Sequence, residues 1–262
     1  LQARLRRLDP AARVRQSLDS DAIRDHLAYV KAPKPLPTFL RTEEIKQLLD
    51  AAAKHDHETF KLTREERAGQ KQPGSTAKYQ PMLPFVLAGL LTGCRFSELA
   101  RLRWSDVHLS QDEVRLSHKA TKTGHGRVVR LDITPLLAEM LTRMQLKADG
   151  AEFVFGYVEE SAGRVPVQHP MRRDIAETAR KRMVDKHGAP TFTWHELRRT
   201  CGTFLTCAPG IYEGASAYMS AKRLGHSVAV AERHYLGALH SVPKDAETLE
   251  ADAVLVATGR KP

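Results

Sequence analysis

Cysteine is scarce in this chain: Cys94, Cys201 and Cys207 are the only three among 262 residues. An odd number without C-x-x-C spacing gives no disulfide framework and predicts free thiols in a reducing compartment. Long apolar runs are also missing. The longest, Met82 to Leu91, is too short to span a bilayer and contains Pro84. We find no secretory signal, no internal repeat and no G-x-x-x-x-G-K-[ST] loop, so the sequence gives nucleotide hydrolysis no support. The cysteines have no partnered His/Asn pattern that would make one a nucleophile. His55-Asp56-His57 has the composition of a metal site but no third ligand at helical or hairpin spacing, so we read incidental surface histidines. No metal and no cofactor is expected. The chain begins at Leu1 rather than methionine, and we expect a fragment whose N-terminal part is missing.

What the chain has in excess is positive charge: 41 Lys and Arg against 31 Asp and Glu, a formal net of +10. That balance points toward a polyanionic partner. The first sixteen residues are basic, and Asp19 to Val30 reads as a short amphipathic helix. Pro33, Pro35 and Pro37 then force extended backbone and mark the domain boundary, leaving residues 1–35 and 36–262 as separate units.

Beyond the boundary, Thr42 can cap a helix running to about His55, with Ile45, Leu48, Leu49 and Ala52 on one face. The charged segment from His57 to Lys78 reads as an exposed loop. An apolar helix over Pro81 to Thr92 should stop at Gly93, and Ser97 is available to cap the next one. Three short strands follow, at Asp106–Leu109, Glu113–His118 and Gly126–Leu131; in the third, Val128 and Arg130 face one way, Val129 and Leu131 the other. Ile133–Lys147 is a helix, Glu152–Phe155 a buried strand and Met171–Lys186 a basic helix. His195–Thr206, Tyr212–Leu224, Val228–Tyr235 and Lys244–Thr258 complete a mostly helical second half. The fold class is α+β, mainly helical with a small antiparallel sheet.

The chemistry concentrates between Thr193 and Tyr235. T-W-H-E-L-R-R-T places His195 and Arg198 three positions apart, on one face of a helix. L-G-H follows at 224–226, and Tyr235 lies nine positions beyond His226. A guanidinium is a planar fork that matches phosphate oxygens, and a tyrosine hydroxyl can act as a nucleophile.

Together with L-T-G-C-R-F-S-E-L-A-R-L-R-W-S-D-V at 91–107 and T-K-T-G-H-G-R-V-V-R-L at 121–131, these segments resemble the tyrosine site-specific recombinases of the phage-integrase family. The elements occur in the family's order, and the resemblance covers residues 36 to 240. It implies a catalytic domain that cuts and rejoins double-stranded DNA. Arg95 and Arg198 would clamp the non-bridging oxygens of the scissile phosphate, and Lys122 would protonate the leaving 5′ oxygen. His195 would hydrogen-bond the phosphate and assist proton transfer, and His226 would donate a further hydrogen bond. Tyr235 would attack phosphorus and become a 3′-phosphotyrosine. Glu98, one turn after Arg95, would orient that arginine. The resemblance further implies a homotetramer on synapsed DNA from a chain that is monomeric alone, in the cytoplasm at the nucleoid. It makes residues 1–35 the remnant of an N-terminal DNA-binding helical domain. The tail after Tyr235 would be handed to a neighbour or fold back in cis.

Those roles make physical sense without the family. In-line attack on a phosphodiester builds charge on the equatorial oxygens, which fixed cationic donors stabilise. Only about one tyrosine in a thousand is phenolate at pH 7, a deficit of roughly 4 kcal/mol that nearby cations offset. Read singly, each residue has a plainer use. Arg95 can be a surface arginine paired with Glu98, His195 a core histidine beside Trp194, Arg198 an interhelical ion-pair partner, His226 a helix cap and Tyr235 a core aromatic. Lys119 competes with Lys122, and His234 with the other histidines as proton carrier. The basic helix over Arg172 to Arg182 can track a phosphate backbone or face solvent. Rival functions are a nicking–closing topoisomerase of type IB, a DNA-binding accessory protein on the same scaffold without activity and, more distantly, a metal-dependent nuclease, which activity in the presence of chelator would exclude.

Overall fold

The computed structural model describes residues 38–69, 81–116, 126–148, 150–159, 167–207 and 217–229, all within the compact unit Pro37–Pro262. Lys122, Tyr235 and the helices expected at Asp19–Val30 and Lys244–Thr258 lie outside the described residues.

Helix α1 spans Thr42–Gly69. Its stripe of Ile45, Leu48, Leu49 and Ala52 is buried, and Glu43 and Glu44 in the first turn complement the positive end of the helix. Thr42 is the first helical residue rather than the cap; the Arg41 N–H instead donates to the Glu44 carboxylate at 2.8 Å. The loop expected from His57 onward is helical as far as Gly69. Little there can be buried, but Glu58, Lys61, Leu62, Arg64, Glu65, Glu66 and Arg67 are strong helix formers, and an established helix propagates through them.

His55 is also not a surface histidine, since it is 0% exposed. Its Nδ1 lies 3.0 Å from Asp56 Oδ1, and its ring meets that of His187 edge-on at 5.9 Å. Among the described residues no group of three or more metal-ligating side chains is found.

Helix α2, Met82–Thr92, is apolar nearly all round and forms the centre of the core. Pro81 offers its N-terminus no side-chain cap. Asp56 of α1 supplies one from across the interface: its two carboxylate oxygens accept the Met82 and Leu83 N–H groups, each at 2.8 Å. The helix stops at Gly93, in the left-handed region at φ 62°. Helix α3, Phe96–Ala100, begins after Arg95, not at Ser97; Ser97 lies inside it and the Glu98 carboxylate accepts the Arg95 N–H at 2.8 Å.

Three strands follow, β1 Val107–His108, β2 Glu113–Leu116 and β3 Arg127–Arg130. They form an antiparallel sheet in the order β1-β2-β3, with Val114 opposite Val129 and Leu116 opposite Arg127. Val129 and Leu131 are buried while Val128 and Arg130 are exposed, as the alternation predicts. Helix α4, Pro135–Leu146, starts with a proline whose missing N–H costs nothing there. The strand expected at Glu152–Phe155 reduces to a single bridge, Arg103 to Phe153. Its backbone is still paired, Val154 N–H to Leu102 at 2.9 Å and Trp104 N–H to Glu152 at 3.0 Å. A second hairpin, β4 Tyr157–Glu159 with β5 Val167–His169, was not foreseen.

Three further helices are α5 Arg173–His187, α6 Trp194–Cys207 and α7 Ala217–Leu224. Helix α2 packs between α1 and α6, while α7 packs against α6 and β3. An aromatic cluster fixes the front of this arrangement. Phe85 of α2 meets Phe96, Phe155 and Trp194 edge-on at 5.5, 5.3 and 5.4 Å. Phe96 neighbours Arg95 and Trp194 neighbours His195, so the same packing that builds the core sets the bases of both side chains. No described helix is long and apolar enough to cross a membrane.

Candidate active site

The site grows from Gly93. A side-chain Cβ there would lie 2.1 Å from Leu224 Cδ2 and 3.1 Å from Cys201 Sγ, and the backbone is left-handed. Only glycine lets the end of α2 close against α6 and α7. Cys201, Leu205, Ala221 and Leu224 make a small apolar cluster beneath it. Cys94 and Cys201 are free and buried, and burial pushes the Cys201 thiol up to about 11.

Arg198 projects from α6 into this junction and is 4% exposed. Its Nη1 donates to the Gly93 carbonyl at 2.6 Å and its Nη2 to the Leu224 carbonyl at 2.5 Å. One guanidinium thus holds the residue two before Arg95 and the residue two before His226. Gly225, at φ 69°, turns the chain out of α7, with its N–H on the Ala221 carbonyl at 2.8 Å. His226 follows, its Nδ1 3.1 Å from the Ser227 carbonyl.

Arg95 is partly exposed and donates from Nη1 to Glu98 Oε1 at 2.9 Å. Glu98 is 0% exposed. Burial would raise its carboxyl, but the hydrogen bonds and charge of Arg127, with those of Arg95, hold it below the ordinary value. His195 keeps an exposed position one residue into α6. Its pKa lies below the ordinary 6.5, first from desolvation and then from the positive charges of Arg199, Arg198 and Arg95. That field draws Arg95, Arg198 and His195 into one electrostatic neighbourhood. At neutral pH His195 is uncharged, able both to donate and to accept a proton.

The structure therefore brings five of the sequence-named residues, Arg95, Glu98, His195, Arg198 and His226, to one junction of α2, α3, α6 and α7. Lys122 falls between the paired strand ends Leu116 and Arg127, and Tyr235 follows the described residues; neither side chain is described.

Two buried arginines were missed. Arg127 grips Glu98 with both terminal nitrogens, Nη1 to Oε1 at 2.9 Å and Nη2 to Oε2 at 2.6 Å, and its Nε donates to the Arg223 carbonyl at 3.0 Å. Arg223 donates to the Arg130 and Leu91 carbonyls, each at 2.7 Å. A signal for the first existed. Strand alternation puts Arg127 on the face of Val129 and Leu131, and a charge on a core-facing position needs a buried partner. Arg223 carried no comparable signal.

The chain before α1 is tied to the same helix: Thr38 Oγ1 donates to Glu196 at 2.6 Å, and the Leu40 N–H to Thr200 Oγ1 at 2.9 Å. On the flank, the Arg173 guanidinium lies 5.4 Å over the Phe96 ring.

Residues 38–238 match the phage integrase family. Tyrosine recombinase XerC of Bacillus pumilus is 29% identical over 201 residues, covering 75% of this chain and 56% of that protein. The integrase of Salmonella phage P22 is 28% identical over 133 residues, covering 49% of this chain and 33% of that one. The chain thus spans about half of one curated relative and a third of the other. Among solved structures, the XerA recombinase superposes with a TM-score of 0.51 at 21% identity, covering 78% of this chain and 61% of that one. A lambda integrase (residues 75–356) dimer bound to a core site gives 0.51 at 16%, covering 86% and 69%. These likenesses give the fold, that of the catalytic domains in those recombinases. With the family match running from Thr38, past the Gly93 junction, to the segment that contains Tyr235, the chain belongs to the phage integrase family.

Proposed function

We propose that this chain is the catalytic part of a site-specific DNA recombinase, cutting and rejoining double-stranded DNA without metal or ATP. The observation that carries the reading is the Arg198 clamp, which ties the Gly93–Arg95 loop, α6 with His195 and the Leu224–His226 turn into one cationic junction. XerC and the P22 integrase, matched by sequence, carry recombinase and integrase names.

In this reading a scissile phosphate sits against Arg95 and Arg198, and its negative charge draws the depressed His195 pKa upward, readying the ring to donate. Tyr235 Oη gives up its proton, with His195 assisting the transfer, and attacks phosphorus; the P–O5′ bond breaks, and Lys122 delivers a proton to the leaving 5′ oxygen. The new phosphotyrosine conserves the bond energy, so a 5′ hydroxyl reverses the step. His226 adds a hydrogen bond to a phosphate oxygen. Residues 36–262 form the catalytic domain and residues 1–35 the end of a preceding DNA-binding domain. The assembly is a homotetramer on paired sites and a monomer off DNA.

The test uses a pool of nicked duplexes with a randomised core, in which release of a short strand traps the cut state. Wild-type protein should form a denaturant-resistant adduct in the presence of chelator, and Tyr235→Phe none while still retarding DNA. A chain that binds DNA but forms no adduct in either version is an accessory protein. One that relaxes supercoiled plasmid with no preferred site is a topoisomerase.

A further inference from the structure

Arg127 has no role read from the sequence, yet its side chain meets Glu98, Cys94 and the Arg223 carbonyl from three separate segments. Its guanidinium binds both oxygens of the buried Glu98 carboxylate, whose Oε1 also receives Arg95 Nη1 at 2.9 Å. Its Nε reaches the Arg223 carbonyl at 3.0 Å, and its Nη2 lies 3.5 Å from Cys94 Sγ. A Cβ on Gly225 would come within 2.9 Å of Arg127 Cδ, so the turn before His226 closes directly over this side chain. Arg127 also opens β3, paired with Leu116 of β2.

Without Arg127, both contacts on the Glu98 carboxylate come from Arg95 itself, its N–H on Oε2 at 2.8 Å and its Nη1 on Oε1 at 2.9 Å. The Arg127 fork adds an anchor from a distant element. With both oxygens engaged by Arg127 in fork geometry, the carboxylate plane is set. The oxygen offered to Arg95 then has one position. The second guanidinium also compensates burial of the acid, so Glu98 stays ionised and keeps its hold on Arg95.

We propose that Arg127 is a positioning residue for strand cleavage: through the shared Glu98 carboxylate it orients Arg95. The proposal rests on the recombinase reading above.

The probe is the nicked duplex that wild-type protein cleaves best out of the randomised pool. Single-turnover adduct formation at saturating DNA is compared with DNA affinity for wild type, Arg127→Lys, Arg95→Ala and the double variant. Lysine keeps the charge but cannot engage both carboxylate oxygens. Arg127→Lys should slow adduct formation by about tenfold or more and change affinity by less than about twofold. In the Arg95→Ala background the same substitution should change the rate by less than about twofold, because the arginine it orients is gone. Equal cleavage by Arg127→Lys and wild type overturns the proposal. So does an equal loss in both backgrounds, which is general damage rather than positioning. If Arg127→Lys does not fold, the paired Arg127→Met, Glu98→Gln variant leaves no unpaired buried charge. Wild-type cleavage by that pair overturns the proposal, and slow cleavage with intact binding supports it. A wild-type protein that forms no adduct on any duplex removes the recombinase reading itself, a different failure.

Discussion

Asp56 and Glu98 are both carboxylates at the start of a helix, and the two regions use the charge in opposite ways. Asp56 reaches from α1 to the bare N-terminus of α2, where two backbone N–H groups absorb it, and His55 closes the other side. The carboxylate is engaged by helix ends and a histidine, with no guanidinium among these contacts. Glu98 caps its own short helix with one oxygen and then receives two guanidiniums, Arg95 and Arg127. One anion holds two cations, and Arg198 and Arg223 enter the same region on backbone carbonyls. The first arrangement joins two helices. The second stores surplus positive charge in a fixed geometry, which costs stability unless an anion arrives to share it.

Substitutions can sharpen or break that contrast. The largest effect is expected at Arg198. Arg198→Ala removes a donor aimed at developing charge and the clamp on Gly93 and Leu224, so adduct formation should fall by several hundredfold or more. A fall below about tenfold would mean that Arg198 is structural only. Next is Glu98→Ala, which leaves Arg127 buried without its counter-charge and should cost about 3–5 kcal/mol in denaturant unfolding, along with most cleavage. Asp56→Ala should cost less, about 1–2 kcal/mol for the lost cap, and leave cleavage per folded molecule unchanged. If Asp56→Ala lowered the cleavage rate as well, the two regions would not be separable.

The smallest effects are those of pH. The Glu98 carboxyl is lowered in the folded protein, so its stabilisation is complete above the ordinary carboxylate value and is lost as pH falls through the lowered one. Glu98→Gln should therefore flatten the acid side of the stability profile. His195 is lowered too, so its neutral form persists below pH 6.5 before DNA binds. The acid limb of cleavage under subsaturating DNA should lie below that value and should move in His195→Asn.

The same contrast explains what could be read from the chain beforehand. Gly93, the alternation of β3 and the buried stripe of α1 follow from local rules, and each appears as expected. Residues 57–69 do not, because polarity decides only that a segment faces water and leaves its helix propensity intact. His55 departs from the expectation for the reverse reason: its burial depends on α5, more than a hundred residues away in sequence. Hairpin β4–β5 has strands of three residues, too short for a periodic signal. In the site, the residues that would meet a phosphate were legible from their motifs. Of those that hold them, Arg127 leaves only the trace of a charge on a core-facing strand position and Arg223 none, since their partners are carbonyls and an acid on distant elements.

The most direct test of the account is to digest the trapped protein–DNA adduct and identify the modified peptide by mass spectrometry. The account predicts a 3′-phosphonucleotide on Tyr235. The same nucleotide on any other side chain would contradict it.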